Sequence, residues 1–312
     1  MPRFLQYVPR VEARSLIASL AAAVCLLALK FLAYFFTGSS AIFSDAMESI
    51  ANVAGAAFAM YALHTAHRPA DSDHPYGHGK IEFISAGFEG SMILMAALVA
   101  ALQAVNAFFH HAALQELGFG LALIVIALCV NSVIGIVLLR VGEKADSAAL
   151  MADGKHLLSD VVTSVAAVAG LVIVRLTHWN YADPLAALVV AAYIGRTGWT
   201  LMRGAFSGLM DEQDVHDEEL LRMILDAHVG PAGREPRVCS YHKLRHRHSG
   251  RYHWVDFHLV VPRQWNIAHG HDVASEIEFE IETALAAGDA TAHVEPCEDA
   301  GCAMCAACAE KK

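Results

Sequence analysis

Long runs of apolar residues alternate with short polar turns over the first two thirds of the chain. The first run, Ser15 to Phe36, contains one charged residue, Lys30. Its length exceeds the roughly 20 helical residues that cross a hydrocarbon core. Five further runs follow, at 41–64, 81–109, 116–140, 148–176 and 183–206. The pattern therefore predicts six membrane-spanning helices.

Basic residues are divided unequally between the two ends of these runs. The N-terminal segment and every second turn carry Arg3, Arg10, Arg14, Arg68, Lys80, Arg140, Lys144 and Arg203. The opposite turns, 37–40, 110–116 and 177–183, hold no Lys or Arg. The positive-inside rule then places both termini in the cytoplasm. We expect an integral protein of a bacterial inner membrane.

Composition agrees with this picture, because 56% hydrophobic residues and a mean hydropathy of +0.42 are too apolar for a soluble chain of 312 residues. The pattern changes after Gly208, where polar residues predict a soluble domain. Its predicted order is helix 213–228, strands 237–247 and 252–261, helix 269–287 and strand 291–295, with His248-Ser249-Gly250 as the hairpin turn. The net charge of −10 lies largely in this domain and argues against a nucleic-acid partner.

The predicted fold class is an α-helical membrane protein with six transmembrane helices followed by a small cytoplasmic α+β domain of order αββαβ. The expected divisions are a cytoplasmic N-terminus at 1–14, a transport domain at 15–207, a metal-binding regulatory and dimerisation domain at 208–296, and a Cys-rich tail at 297–312.

Two of the predicted spans carry pairs of polar residues. Glu48 and Asn52 lie four residues apart in the second span, as do His156 and Asp160 in the fifth. Residues at this spacing share one helical face. An ionisable group in a span costs at least about 2.5 kcal/mol and usually marks a pathway. Together the four side chains would offer a tetrahedral site for a divalent ion.

The charges of this set also favour a cation. Ionised Glu48 and Asp160 with neutral His156 sum to −2, which a divalent ion or protons would cancel. Metal and protons then compete for the same atoms, which is the physical basis of an antiporter. The alternative is that these residues only join helices by hydrogen bonds. Asp45 is an accessory candidate that would cap the span, line its entrance or add a ligand.

Several motifs together resemble the cation diffusion facilitator family. They are Ser44-Asp45-x-x-Glu48-x-x-x-Asn52, the turn Asp71-Ser72-Asp73-His74-Pro75-Tyr76-Gly77-His78-Gly79-Lys80, the pair His156-x-x-x-Asp160, and His293-Val294-Glu295-Pro296. The resemblance implies a homodimer in membrane lipid that exports cytoplasmic Zn²⁺ or a similar ion in exchange for protons by alternating access. It places the transport site at the four residues of the two polar pairs.

The second span departs from the pattern of zinc-carrying members, which commonly have Asp-x-x-x-Asp or His-x-x-x-Asp there. Asn52 offers a neutral amide oxygen, a weaker ligand for zinc than carboxylate or imidazole. Zn²⁺ is the first choice of substrate, with Fe²⁺, Mn²⁺, Co²⁺ and Cd²⁺ left open. No organic cofactor is expected.

A second candidate site lies in the turn between spans two and three. Asp71, His74 and His78 fall within eight residues, and the resemblance makes them the family's loop site. The alternative is an ordinary solvated turn.

Histidines are concentrated after residue 210, where ten of the eighteen lie. This density favours metal binding. His242 and His258 are expected close together across the hairpin, with His293 and Glu295 on one face of the last strand. By resemblance, the cytoplasmic binuclear site consists of His242, His258, His271, His293 and Glu295, and metal bound there would regulate transport. His246, His248, His253 and His269 are expected at the surface without a ligand role.

The C-terminal tail carries Cys297, Cys302, Cys305 and Cys308. In a reducing cytoplasm these stay thiols. Four thiolates at this spacing suit Zn²⁺ or Cu(I), and the alternative is a disordered end that binds nothing specific. The role of Cys239 is left open.

Two other functions compete with transport. A membrane-anchored metal sensor would explain the histidines and cysteines, but it gives no reason for the polar pairs within the spans. An intramembrane hydrolase would need a positioned nucleophile or activated water, and the sequence offers ligands without a further catalytic set. A secondary transporter, rather than an enzyme, is therefore the expected class.

Overall fold

The structure is a computed structural model that describes residues 7–37, 40–109, 118–177, 182–285, 287–299 and 301–309. The chain forms two compact units, at 1–209 and 210–312.

Six long helices make up the described part of the first unit. They are α1 (Arg10–Thr37), α2 (Ser40–Ala66), α3 (Ile81–Phe109), α4 (Gly118–Ala145), α5 (Ala148–Thr177) and α6 (Ala182–Leu209). Each has 27 to 30 residues, and at 1.5 Å per residue each is longer than a hydrocarbon core of about 30 Å. The predicted runs are thereby confirmed as helices, with bounds that differ by a few residues.

Four stretches among the described helices are long and apolar enough to cross a membrane: Arg10–Phe36, Ile81–Asn106, Val125–Ala145 and Pro184–Leu209. They belong to α1, α3, α4 and α6. The two remaining helices, α2 and α5, carry the polar pairs. That all six helices cross the membrane stays a prediction.

Glycines bring two pairs of helices into backbone contact. A Cβ added at Gly198 of α6 would lie 3.0 Å from the carbonyl oxygen of Gly90 in α3, and one at Gly154 of α5 would lie 3.0 Å from that of Gly135 in α4. Small residues at such crossings allow close van der Waals packing where lipid gives no hydrophobic driving force. At both the α3–α6 and the α4–α5 crossing, each helix contributes a glycine to the contact.

Buried carboxylates join further helices. Asp153 of α5 accepts a hydrogen bond from Ser19 Oγ of α1 at 2.8 Å, and both residues are buried. Glu82 of α3 is fully buried and accepts a hydrogen bond from Ser147 Oγ, just before α5. A buried charged group that lacked such a partner would be strongly destabilising. These contacts fix α5 against α1 and α3.

The second unit contains α7 (Val215–His228), β1 (Ser240–Ser249), β2 (Tyr252–Val261), α8 (Ile267–Ala284), β3 (Gly288–Pro296) and α9 (Ala303–Ala309). The sheet has the order β1-β2-β3, with β1 antiparallel and β3 parallel to the central strand β2. The predicted αββαβ order is confirmed. The short helix α9 lies in the Cys-rich tail, after β3.

The hairpin turn lies one to two residues later than the sequence indicated. His248 pairs with His253 and Ser249 with Tyr252, so both His248 and Ser249 belong to the ladder. Gly250 takes a φ of +63°, a left-handed conformation that glycine adopts without steric cost. The turn is therefore set by the glycine.

One apolar core holds this unit together. Phe257 and Leu259 of β2 are almost fully buried against Ile277 of α8 and Leu221 of α7. The side chains of β2 alternate between this core and the opposite face, as its period of two requires. His258 therefore lies on the face opposite the core residues that flank it.

Candidate metal centres

The polar pairs of α2 and α5 meet in the first unit. His156 Nε2 lies 3.2 Å from Asn52 Oδ1, and Asn52 Nδ2 donates to Asp160 Oδ2 at 3.0 Å. His156 Nε2 is also 4.0 Å from Asp160 Oδ2. Glu48 and Asp45 lie in α2, but their side chains fall outside the described part of the structure. Three of the four residues predicted from the polar pairs are thus seen together.

The amide group of Asn52 joins the side chains of His156 and Asp160. Because Asn52 donates its amide N–H to Asp160, its oxygen faces His156 and can only accept. A metal ion can bind at His156 Nε2 only when that nitrogen carries no proton.

A cavity of about 110 Å³ adjoins the cluster. It is lined by Ala23, Leu26, Lys30, Ser49, Asn52, Ala127, Asn131, Leu157, Asp160, Thr163 and Ser164. Lys30 donates from Nζ to Ser49 Oγ at 2.8 Å. The cavity therefore contains an amide and a carboxylate from the cluster together with a basic side chain from α1.

Glu89 of α3 is a further member of this site that the sequence reading missed. Its side chain is fully buried, and its Oε2 lies 3.7 Å from His156 Nδ1. Gly55 leaves room for it, since a Cβ added there would lie 2.6 Å from Glu89 Oε1. A carboxylate behind a metal-binding imidazole is a common means of orienting the ring. The position of Glu89 as an ionisable residue inside the third predicted span could have marked it as a candidate.

The turn before α3 brings Asp71, His74 and His78 together. Asp71 Oδ1 lies 3.1 Å from His74 Nδ1, Asp71 Oδ2 lies 3.3 Å from His78 Nε2, and the two imidazole rings are 4.4 Å apart. The hydrogen bond from His74 lowers the pKa of Asp71. Gly77 has a φ of +75°, which lets the chain turn between the histidines. The three ligand groups lie within 4.8 Å of one another.

A row of histidines crosses the sheet of the second unit. His242 of β1, His258 of β2 and His293 of β3 are direct cross-strand neighbours, with ring separations of 5.0 and 4.8 Å. Glu295 lies two residues beyond His293 and so on the same face. Its oxygens lie 2.7 Å from His258 Nδ1 and 3.2 Å from His242 Nε2.

The row forms a compact donor set. The hydrogen bond from His258 lowers the pKa of Glu295, so this side chain is a carboxylate at neutral pH. The ligand groups of His242, His258 and Glu295 lie within 4.8 Å of one another, and His293 Nε2 is 3.7 Å from Glu295 Oε1. His271 lies on α8, and no contact described for this unit joins it to the row, so its ligand role stays a prediction.

Three of the four histidines expected at the surface, His246, His248 and His253, instead make polar contacts with the start of α7. His246 is buried, and its Nε2 accepts a hydrogen bond from the backbone N–H of Asp214, the N-cap of α7. His248 Nε2 and His253 Nδ1 each lie 2.8 Å from Asp217 Oδ2 and lower the pKa of that carboxyl group. These contacts fasten the first turn of α7 to the hairpin.

The cysteines of the tail do not cluster by themselves. Cys297, Cys302 and Cys305 lie with Cys239, all four sulfurs being within 4.8 Å of one another. The side chain of Cys308 falls outside the described part of the structure. Cys239, which the sequence left undecided, therefore belongs to the cysteine cluster.

Comparison with known proteins gives matches over most of the chain. Residues 16–210 match the cation efflux transmembrane domain, and residues 232–297 match the cytoplasmic domain of cation efflux proteins. A transporter of Synechocystis sp., sll1263, is 37% identical over 283 residues, which cover 91% of this chain and 90% of that protein.

More distant relatives are cation-efflux pumps. The cation-efflux pump FieF of Salmonella agona is 28% identical over 294 residues, covering 92% of this chain and 94% of the pump, and that of Shewanella oneidensis is 26% identical over 280 residues, covering 89% and 92%. A solved structure of the zinc form of CzrB, described as a candidate zinc transporter, is 27% identical with a TM-score of 0.25, covering 28% of this chain and 91% of that one.

Proposed function

Because this chain belongs to the cation diffusion facilitator family of cation efflux transporters, we propose that it exports a divalent transition metal ion from the cytoplasm in exchange for protons. Zn²⁺ is the first choice of substrate. The proposed transport site consists of Glu48, Asn52, His156 and Asp160.

The observation that carries this proposal is the convergence of Asn52, His156 and Asp160 beside a cavity within the helical bundle. One nitrogen and two oxygen donors from two helices match the ligand types that borderline divalent ions accept. Glu48, four residues before Asn52 in α2, would complete four ligands. A divalent ion there would replace the hydrogen bonds that now hold the three side chains to one another.

Proton exchange follows from the same atoms. An imidazolium ring at His156 carries protons on both nitrogens, and it must release the proton on Nε2 before that nitrogen binds metal. The metal-loaded and proton-loaded forms therefore exclude each other. Glu89, buried at His156 Nδ1, would orient the ring in both forms.

The donor set supports zinc without requiring it. Imidazole and carboxylate suit Zn²⁺, whereas the amide of Asn52 weakens the site for zinc relative to a second carboxylate. Fe²⁺, Mn²⁺, Co²⁺ and Cd²⁺ are the alternative substrates. The assay must therefore compare these ions directly.

We further propose that the protein works as a homodimer in a bacterial inner membrane with both termini in the cytoplasm. The match of residues 232–297 to the cytoplasmic domain of cation efflux proteins supports the homodimer. Metal bound by His242, His258, His271, His293 and Glu295 would then regulate transport, and Asp71, His74 and His78 would form an additional loop site.

The decisive experiment measures ion uptake into proteoliposomes that enclose a pH-sensitive dye and a metal indicator. In the wild-type protein, Zn²⁺ should enter the vesicles while protons leave them. Asp160→Asn keeps the size of the side chain, and it should abolish both the metal signal and the pH signal. Glu143→Gln, at an exposed carboxylate of α4, is the matched control and should transport normally. Metal binding to the full chain without uptake of Zn²⁺, Mn²⁺, Fe²⁺, Co²⁺ or Cd²⁺ would instead identify a membrane-anchored sensor.

A further inference from the structure

We propose that Cys239, Cys297, Cys302 and Cys305 form a tetrathiolate site for one resident zinc ion, which fastens the C-terminal segment to the end of the sheet. This site is separate from the histidine row and from the proposed transport site, and it does not depend on the function of either.

The sheet itself brings two of the cysteines together. Cys239 directly precedes β1 and Cys297 directly follows β3, the two outer strands of the sheet. The N–H of Cys239 donates to the carbonyl of Val260 at 2.9 Å, and the N–H of Cys297 donates to that of Val261 at 2.8 Å. The last two residues of β2 therefore hold the backbones of both cysteines on either side of one strand end.

The tail then folds back to supply the other two. Asp299 accepts hydrogen bonds from the backbone N–H groups of Gly301 at 2.8 Å and Cys302 at 3.2 Å, which turns the chain after Cys297. Cys302 comes directly before α9, and Cys305 lies within it. The Cys-x-x-Cys spacing at this turn brings both sulfurs to the same side, as in many structural zinc sites.

The sulfur geometry fits one tetrahedral ion. Zinc–sulfur bonds of about 2.3 Å place the sulfurs of a tetrahedral site about 3.8 Å apart, and Cys239 Sγ lies 3.8 Å from Cys305 Sγ. All four sulfurs lie within 4.8 Å of one another. An iron–sulfur cluster would force them further apart, because it inserts iron and sulfide atoms between the ligands. Each of the four is also a free thiol.

The thiolates of Cys239, Cys297, Cys302 and Cys305 complete a tetrahedral shell without Cys308. The spacing along the tail predicts a different fourth ligand, Cys308 in place of Cys239. The difference matters physically, because a site confined to the tail would leave the tail free, whereas a site that includes Cys239 closes the chain across the sheet. Buried Met304 in α9 agrees with a tail that packs on the unit.

The test uses the full chain in detergent, stripped of metal and loaded with Co²⁺, which gives an intense sulfur-to-metal charge-transfer absorption only with thiolate ligands. The histidine and carboxylate sites are silent in this assay. The wild-type protein should show the tetrathiolate spectrum at one Co²⁺ per chain, and added Zn²⁺ should abolish it. Cys239→Ser should remove the spectrum, and Cys308→Ser, the matched control, should leave it unchanged.

Two results would overturn the proposal: no charge-transfer absorption in the wild-type protein, or absorption that Cys308→Ser removes and Cys239→Ser retains. A measurement on the wild-type protein covers the case in which Cys239→Ser does not fold. In the zinc-loaded protein, alkylation followed by peptide mass spectrometry should find Cys239 protected until a chelator is added, with Cys308 reactive throughout. Equal alkylation of Cys239 with and without zinc would contradict the site.

Discussion

His156 presents its Nδ1 to the buried carboxylate of Glu89 at 3.7 Å, while its Nε2 faces Asn52 and Asp160. The imidazole thus stands between one acidic group in α3 and two polar groups of the proposed transport site. Glu89 itself has no hydrogen-bond donor among the described residues. Its position therefore depends on packing, including the space that Gly55 leaves for it.

Glu89→Gln should weaken metal transport because it alters the orientation of the His156 ring, although it removes no metal ligand. Loss of a partner of this kind commonly costs about 10-fold or more in metal affinity. We expect the apparent KM for Zn²⁺ to rise by about that factor, while Asp160→Asn abolishes transport. Zinc uptake into proteoliposomes over a range of concentrations measures both. A Glu89→Gln protein with an unchanged KM would show that the carboxylate does not act on His156.

Asn52→Asp should shift the metal preference toward zinc. The change replaces a neutral amide oxygen by a carboxylate at a position 3.0 Å from Asp160, and carboxylate is a stronger ligand for zinc than an amide oxygen. We expect the ratio of apparent affinities for Zn²⁺ over Mn²⁺ to rise about tenfold, equivalent to about 1.4 kcal/mol. Asn131→Asp is the control, since Asn131 lines the same cavity from α4. An equal shift in both variants would trace the effect to charge in the cavity rather than to ligation.

Asp217 should stabilise the second unit at neutral pH and lose that effect in acid. The hydrogen bonds from His248 and His253 lower its pKa below the ordinary value of 3.8. The stabilisation is then fully present above pH 3.8 and disappears as the pH falls through the lower pKa of the folded state. Asp217→Asn should cost about 1–3 kcal/mol at pH 7, and its deficit should shrink below pH 3.8.

Thermal unfolding of the full chain at a series of pH values measures this difference. Asp272→Asn, at an exposed carboxylate of α8, should unfold like the wild type throughout. If the stability difference between Asp217→Asn and the wild type stayed constant below pH 3.8, the loss would come from altered packing and not from the charge of Asp217.

Gly198→Ala should destabilise the helical bundle, whereas Gly204→Ala in the same helix should not. A Cβ at Gly198 would meet backbone atoms of α3 at 3.0 Å, but one at Gly204 would meet nothing within 4 Å. Forcing a methyl group into a close crossing costs about 1–3 kcal/mol, and Gly→Ala in an open helical position gains up to about 1 kcal/mol. Melting temperatures of the two variants in detergent should therefore move in opposite directions. Equal shifts would contradict the close packing of α3 on α6.

The periodic and apolar parts of the chain could be predicted well from the sequence. An apolar run of more than 20 residues is typical of a membrane-spanning helix, so the long helices could be predicted directly. The alternation in β2 likewise predicted the strand that carries His258. The closeness of His242 and His258 also followed, because pairing in register makes cross-strand neighbours calculable from the hairpin. Glu295, on β3, was joined to them only by the family resemblance.

Contacts between distant segments could not be predicted in the same way. Glu89 follows Ser85 by four residues in α3, and an ionisable residue within a span was by itself a reason to examine it. Its contact with His156 of α5, however, depends on how two distant helices pack. Cys239 is far from the tail in sequence, and only the pairing of β1 and β3 with β2 brings it near Cys297. His246 looked like a surface residue because its partner, the N-cap of α7, is also distant.

The two glycine crossings imply an order of assembly during synthesis. Gly135 and Gly154 belong to consecutive helices, so α4 and α5 can dock as soon as the second of them enters the membrane. Gly90 must wait for Gly198, because α6 is made last of the six. Until then the face of α3 that carries Gly90 has no α6 to pack against. The close α3–α6 crossing therefore forms only after the last of the six helices has been made.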